Sequence, residues 1–396
     1  MKLDNLTMTP GRREMDIQPN SQRKPGRLAV ACAMALSVFA IAACASAPAP
    51  ETTPPTAAKV VVKPDGTVLV PAMSVPVSDY LSPEGKAYLT DHLTAMQNPE
   101  MIKEVEEIGA PMFLKTYMDR QAELYPFSKT DTSMGGVHVY DYTPVGGVSD
   151  AQKDRVLIDL HGGGFITCWP ACAELESVPL ASLGGFRVVA VDYRQAPEYK
   201  FPAASEDVAK VYTELLKTYA PENIGIYGCS AGGMLTGMSM AWFQAHDLPM
   251  PGAIGIYCAG AAPPVKGFGG DANYTATAIG EGRFMAPPTE EPASDKPARS
   301  LMPYLSEADP YDPLVAPTES DEILSRFPPT QIITGTRGFE MSAAVYTHSR
   351  LVKLGVEADL HVWEGMFHGF FYNPDVPESR DAYKVMIDFF NSHLGR

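Results

Sequence analysis

The stretch NIGIYGCSAGG, residues 223–233, narrows the choice of fold more than any other part of the chain. A short β-rich run leads without a spacer into a turn where Gly228, Ser230 and Gly232 stand in a G-x-S-x-G arrangement. The turn opens directly into the helical pattern AGGMLTGMSMAWFQAH. A serine in that setting sits on a tight, strained turn. The flanking glycines let neighbouring backbones approach, and the following helix aims its free N–H groups and positive dipole end at the same place. The amide of Ala231 can then face an oxyanion. Taken alone, the pentapeptide also admits a glycine-rich turn holding a structural serine, the less favoured reading.

The same alternation runs through most of the chain. The β-rich runs RVLIDL, RVVAVDY, NIGIYG, GAIGIYCAG, TQIITGT and EADLHVW are interleaved with the helical runs ASEDVAKVYTELLKTY, AGGMLTGMSMAWFQAH, EMSAAVYTHSRLVKLG and SRDAYKVMIDFFNSHL. This order implies an α/β domain, 131–396, with a mostly parallel sheet covered by helices on both faces and chemistry at the carboxyl ends of the strands. Ahead of it, apolar residues recur at three and four between SDYLSPEGKAYLTDHL and FLKTYMDRQAELY, which predicts two or three amphipathic helices as an N-terminal cap over 78–130. The Pro- and Gly-rich segment 261–301 breaks the alternation, and a loop of that length is more often functional, such as a lid, than idle.

The first segment reads as an address. Arg12, Arg13, Arg23, Lys24 and Arg27 precede LAVACAMALSVFAIAAC, an apolar run too short and too rich in small residues for a membrane span. We expect a signal peptide over 1–43. Its end, IAAC, resembles the lipobox of bacterial lipoproteins, which implies lipidation at Cys44, a lipid anchor as the sole membrane contact, and an exported envelope location with the outer membrane favoured. Ordinary cleavage after ASA and an uncleaved anchor are the alternatives. Residues 44–77, rich in Pro, Ala and Thr, have the composition of a flexible tether, with little structure expected before Ser78.

With 396 residues, 45% of them hydrophobic, the chain can bury a full-sized core. Its net charge of -16, with no Lys/Arg cluster beyond the first residues, argues against a nucleic-acid partner. Besides Cys32 and Cys44, four cysteines remain, Cys168, Cys172, Cys229 and Cys258, too few for a disulfide framework in a domain this large. Cys168 and Cys172 could meet, but buried free thiols are the expected state. No CxxC or HExxH occurs, so no metal site is expected.

A second glycine-rich turn follows the run RVLIDL, where His161, Gly162, Gly163 and Gly164 can present backbone amides to an oxyanion. Near the C-terminus, His368 follows EADLHVW in a short Gly-flanked loop from which a side chain can reach the end of the sheet. Other histidines fit worse as a base: His361 lies in a strand run, His348 in a helical run, and His161 in the glycine loop, where it is expected to brace backbone.

The segments HGGGF, VDYRQAPEYKFPAASEDV, GCSAGG and WEGMFHGF, in this order between about 137 and 395, resemble the hormone-sensitive-lipase-like (family IV) carboxylesterases of the α/β-hydrolase superfamily. The resemblance implies an α/β-hydrolase fold, Ser230 as nucleophile, His368 as general base, an oxyanion hole of Gly162, Gly163 and Ala231, and no cofactor. It also implies a serine esterase that cleaves small, short-chain carboxylic esters through an acyl-enzyme.

One position departs from the pattern. The family's aspartate in a G-x-x-D turn aligns with Gly338 in GTRGFE, so the imidazolium formed at His368 lacks its usual carboxylate. Glu340 is the candidate replacement, but it can equally sit at a helix start, where the dipole favours any carboxylate. The acid is therefore Glu340, another carboxylate, or absent. Asp309 and Asp312, in EADPYDPLVAP, are expected to shape their loop only. Two further readings stay open: a nearly inactive or noncatalytic envelope protein, which Gly338 favours, and a deacetylase or amidase acting on envelope substrates.

Overall fold

The computed structural model describes residues 59–71, 73–265, 268–276 and 302–395. The expected signal peptide, Cys44, the first part of the tether and most of the 261–301 segment lie outside the described residues. Two compact units are present, Met1–Met73 and Ser74–Arg396. In the first, where little structure was expected, Val61–Val62 pairs antiparallel with Val68–Leu69. The cause is the Asp65-Gly66 turn: Gly66 takes φ +88°, and the Thr67 amide donates to Asp65 Oδ1 at 2.9 Å. Asp-Gly between apolar β-formers is a strong short hairpin signal that the tether-like composition masked.

The second unit is built on one eight-stranded sheet. Its strands are β1 (Phe127–Met134), β2 (Val137–Pro144), β3 (Val156–Leu160), β4 (Arg187–Val191), β5 (Ile224–Cys229), β6 (Ala253–Tyr257), β7 (Thr330–Gly335) and β8 (Ala358–Trp363). The spatial order is β1-β2-β4-β3-β5-β6-β7-β8. From β4 to β8 all neighbours are parallel, while β1-β2 and β2-β4 are antiparallel. The six expected strand runs are β3 to β8. The strands β1 and β2 were not expected: FSKTDTSM is polar and largely exposed along an edge, which blunts that edge and erases the apolar signal. With β1 starting at Phe127, the expected cap boundary at 130 falls inside a strand.

The long helices are α1 (Pro83–Ala95), α2 (Met112–Leu124), α3 (Ala171–Gly184), α4 (Ala203–Leu215), α5 (Ala231–Ala245), α6 (Met341–Lys353) and α7 (Pro377–His393). Successive strand residues point to opposite faces, so the sheet feeds two cores. Leu157, Val188 and Tyr227 pack with residues of α1, α2, α3 and α7 on one side. Ile158, Val189, Ile226 and Ile254 pack with α4, α5 and α6 on the other. Helix α3 was invisible to periodicity because it is buried nearly all round, and Pro179 within it reads as a breaker. The Leu175 carbonyl, four residues before Pro179, is instead capped by Gln121 Nε2 of α2 at 3.3 Å. Among the described residues no helix is long and apolar enough to cross a membrane.

Candidate active site

The register sets where the site forms. Leu160, at the end of β3, pairs with Gly228 near the end of β5, so the glycine loop after β3 and the serine turn after β5 lie side by side. A Cβ at Gly232 would fall 1.5 Å from the Leu160 carbonyl oxygen, and one at Gly228 would fall 2.2 Å from it. Only glycine fits either place. Squeezed between them, Ser230 adopts φ +58°, ψ -119°, a strained conformation for a residue with a side chain. Its amide donates to the Tyr257 carbonyl of β6 at 2.9 Å, fixing the turn against the sheet. Helix α5 begins at the next residue, leaving the Ala231 amide at its N-terminus.

Ser230 and His368 line one cavity of about 350 Å³. Its walls are mainly apolar: Leu114, Phe113 and Tyr88 from the cap helices, Phe268, Phe339 and Phe367 from the sheet side, and Gly163 and Gly164 from the loop after β3. The described part of the 261–301 segment thus contributes Phe268.

His368 is held from three sides. Its Nδ1 lies 2.9 Å from Glu340 Oε2, and Phe339 stacks on its ring at 4.4 Å between centroids. The next amide, Gly369, donates to Cys258 Sγ at 3.3 Å. Glu340 is fully buried, and its second oxygen accepts from Thr334 Oγ1 at 2.7 Å. It stands at the N-cap of α6, the helix start allowed for it, but caps no amide there: its oxygens meet Thr334 and His368 instead.

Gly338 belongs to the same arrangement. A Cβ there would lie 2.4 Å from Glu340 Oε1 and 2.8 Å from its Cδ. The glycine leaves open the volume that the Glu340 carboxylate occupies.

The glycine loop corrects one expectation. The Gly162 amide, counted among the oxyanion donors, is committed to Glu176 Oε1 at 3.0 Å. The amides of Gly163 and Gly164 donate to no partner among the described residues, and both glycines line the cavity. A donor already bonded to a buried carboxylate is not free for a developing oxyanion, whereas the Gly163 and Gly164 amides are.

The remaining histidines do what was expected of them. His361 is in β8 and His348 in α6, with Nε2 3.2 Å from the Ala358 carbonyl. Buried His161 stacks on Tyr193, places Nδ1 2.6 Å from the Gly162 carbonyl, and has its pKa lowered to about 4 by burial. Asp309 and Asp312 accept from the Tyr311 and Leu314 amides at 3.0 and 2.9 Å, shaping their loop.

Two further features went unread in the sequence. Cys168 and Cys172, expected as free thiols, form a disulfide at the end of the glycine loop; Cys229 and Cys258 are free and buried. The left-handed backbone at Cys168 turns its side chain toward α3, a bend that sequence spacing does not reveal. Glu176, on the unforeseen helix α3, contacts the site from beneath. Its run ACAELESVPLASLG carries two glutamates, and nothing in the sequence says that Glu176 rather than Glu174 is the buried one.

A strand-turn-helix serine, a histidine–carboxylate pair and free loop amides at the carboxyl edge of a mostly parallel sheet define an α/β hydrolase. Residues 157–372 match the family described as alpha/beta hydrolase fold, and the chain belongs to it. It is 29% identical over 246 residues to an acetyl-hydrolase of Streptomyces hygroscopicus, covering 62% of this chain and 78% of that one. It is 30% identical to the carboxylesterase/phospholipase LipF of Mycobacterium tuberculosis over 59% of this chain and 61% of LipF. Among solved structures, an esterase named E25 is 28% identical with a TM-score of 0.68, covering 82% of this chain and 98% of that one. A hormone-sensitive lipase from a metagenome library is 25% identical with a TM-score of 0.62, over 80% and 99% of the two chains. These bear out the resemblance to the hormone-sensitive-lipase branch.

Proposed function

We propose that the protein is a serine esterase for short-chain carboxylic esters, with Ser230, His368 and Glu340 as its triad. The observation that carries this reading is the 2.9 Å pair of His368 Nδ1 and buried Glu340 Oε2, in the one turn where the sequence lacks the usual acid. With Nδ1 held by the carboxylate, Nε2 is left to take the Ser230 proton as Oγ bonds to the ester carbonyl carbon. The carbonyl oxygen gains the negative charge and is received by the amides of Gly163, Gly164 and Ala231. Collapse breaks the bond to the alcohol, which leaves with the proton from Nε2. Water, deprotonated by the same nitrogen, then attacks the acyl carbon, and Nε2 returns the proton to Ser230 Oγ as the bond to the acyl group breaks and the acid leaves. An apolar cavity of about 350 Å³ suits a small acyl and alcohol pair rather than a triglyceride.

The noncatalytic alternative rested on Gly338; the Glu340 carboxylate in the space beside that glycine, 2.9 Å from His368 Nδ1, favours the esterase reading over it. Relatives named acetyl-hydrolase keep acetylated substrates within the proposal. The deciding experiment is kcat/KM for p-nitrophenyl butyrate together with fluorophosphonate labelling of the full chain. Turnover with label on Ser230 is expected, whereas a folded protein that neither turns over nor labels would sink the reading.

We propose in addition that the protein is exported and anchored through lipid on Cys44. The basic residues ahead of the apolar run and the IAAC sequence support this, as does the Cys168–Cys172 disulfide, a bond at home in an oxidising compartment. Metabolic palmitate labelling lost in Cys44→Ala is the expected result; equal labelling of both would end the proposal.

A further inference from the structure

Glu176 has no part in the proton transfers described above, yet it is 4% exposed and its carboxylate accepts three hydrogen bonds. Oε1 accepts from the Gly162 amide at 3.0 Å and from the Tyr372 hydroxyl at 2.6 Å. Oε2 accepts from the Cys229 amide at 3.0 Å. Each donor belongs to a different segment of the site: the oxyanion loop, the turn one residue before Ser230, and the loop four residues past His368. The helix that carries Glu176 is itself tied to β5, since Tyr227 OH donates to the Glu176 carbonyl at 3.1 Å.

We propose that Glu176, as a carboxylate, is a positioning residue that locks the oxyanion loop, the nucleophile turn and the histidine loop into one working geometry. The inference rests on the esterase reading. Two N–H groups and one O–H converge on the two oxygens, a set that only an ionised carboxylate satisfies throughout. Protonated, the group would turn its hydroxyl against an amide or onto the Tyr372 oxygen, and either way one of the three donors loses its acceptor on Glu176.

The surroundings make that ionisation accessible to pH. Burial raises the Glu176 pKa to about 7, opposed by the bonds from Tyr372, Gly162 and Cys229. The titratable groups facing it are Asp159 of β3, Tyr193 after β4, Tyr227 and Cys229 of β5, and Tyr372 after β8. All five have pKa values driven up, chiefly by burial, so the three tyrosines and Cys229 are neutral near pH 7; His161, beside Gly162, is kept neutral by burial. Asp159 accepts one bond, from Ser177 Oγ to Oδ2 at 2.9 Å, against three for Glu176, so the donors favour Glu176 as the carboxylate of the pair. Because its folded pKa is raised, its protonated form favours the fold: stability from this group is full at low pH and declines as pH rises through about 7. The locked geometry has the opposite dependence and forms as pH rises through the same window.

The test compares wild type, Glu176→Gln and Tyr372→Phe as full chains, by ester hydrolysis against pH and by amide hydrogen exchange of the segments holding Gly162 and Cys229. Glu176→Gln should lower kcat about 10²-fold with KM within about threefold, as for a misplacement near 1 Å. Protection should fall in both segments together, and the acid limb should change from a slope near two protons, imidazole and Glu176, to one. Tyr372→Phe, which removes one bond of three, should cost about fivefold and keeps the test open if Glu176→Gln does not fold. Unchanged exchange with kcat within about threefold of wild type, whatever the change in Tm, would overturn the proposal and leave Glu176 a structural brace. If wild type neither hydrolyses esters nor labels at Ser230, the esterase reading fails, while the exchange data still decide whether Glu176 joins the three segments.

Discussion

The serine turn after β5 and the acid turn after β7 supply two members of the proposed triad under different constraints. In the first, backbone meets backbone: a Cβ at Gly232 would lie 1.5 Å from the Leu160 carbonyl oxygen, so neither residue types nor spacing can change. In the second, the requirement is only that a carboxylate arrive 2.9 Å from His368 Nδ1. Position 338 is glycine, and Glu340, two residues on and longer by a methylene, fills the space beside it. Where a fold specifies a backbone path, the motif is rigid; where it specifies only the location of a functional group, that group can be supplied from a neighbouring position.

The sharpest attempt to break this comparison is Ser230→Ala, expected to lower kcat by about 10⁶-fold and to abolish fluorophosphonate labelling with the fold intact by circular dichroism. Glu340→Gln keeps shape and removes charge; a loss of about 10⁴-fold in kcat is expected, as when a triad acid is neutralised. Loss below tenfold would mean that another group serves His368.

Moving the acid back is the more discriminating change. Gly338→Asp combined with Glu340→Leu should recover activity to within about 10²-fold of wild type, the cost of a misplacement near 1 Å, and exceed Glu340→Gln alone. Gly338→Asp by itself should instead lower Tm, because its Cβ would lie 2.4 Å from the Glu340 carboxylate. The smallest effect is expected of Thr334→Val, which removes the 2.7 Å bond to Glu340 Oε1. A charge-assisted bond worth about 1.5 kcal/mol corresponds to roughly tenfold in kcat.

The sequence alone determined the strand and helix alternation from Val156 onward apart from α3, the strained Ser230, the candidacy of His368 and the break at Gly338. Each is a local matter, written in periodicity or in a glycine that no other residue can replace. Strand β1 escaped because an exposed edge has no apolar stripe, and α3 because a helix buried all round has no polar one. The pairing of Glu340 with His368, the commitment of the Gly162 amide to Glu176, and the joining of Cys168 to Cys172 were decided only by tertiary structure. Each depends on where a side chain or an N–H points once separate segments meet. Twenty-eight residues separate Glu340 from His368, and the 2.9 Å between them exists only because β7 and β8 lie parallel and end together.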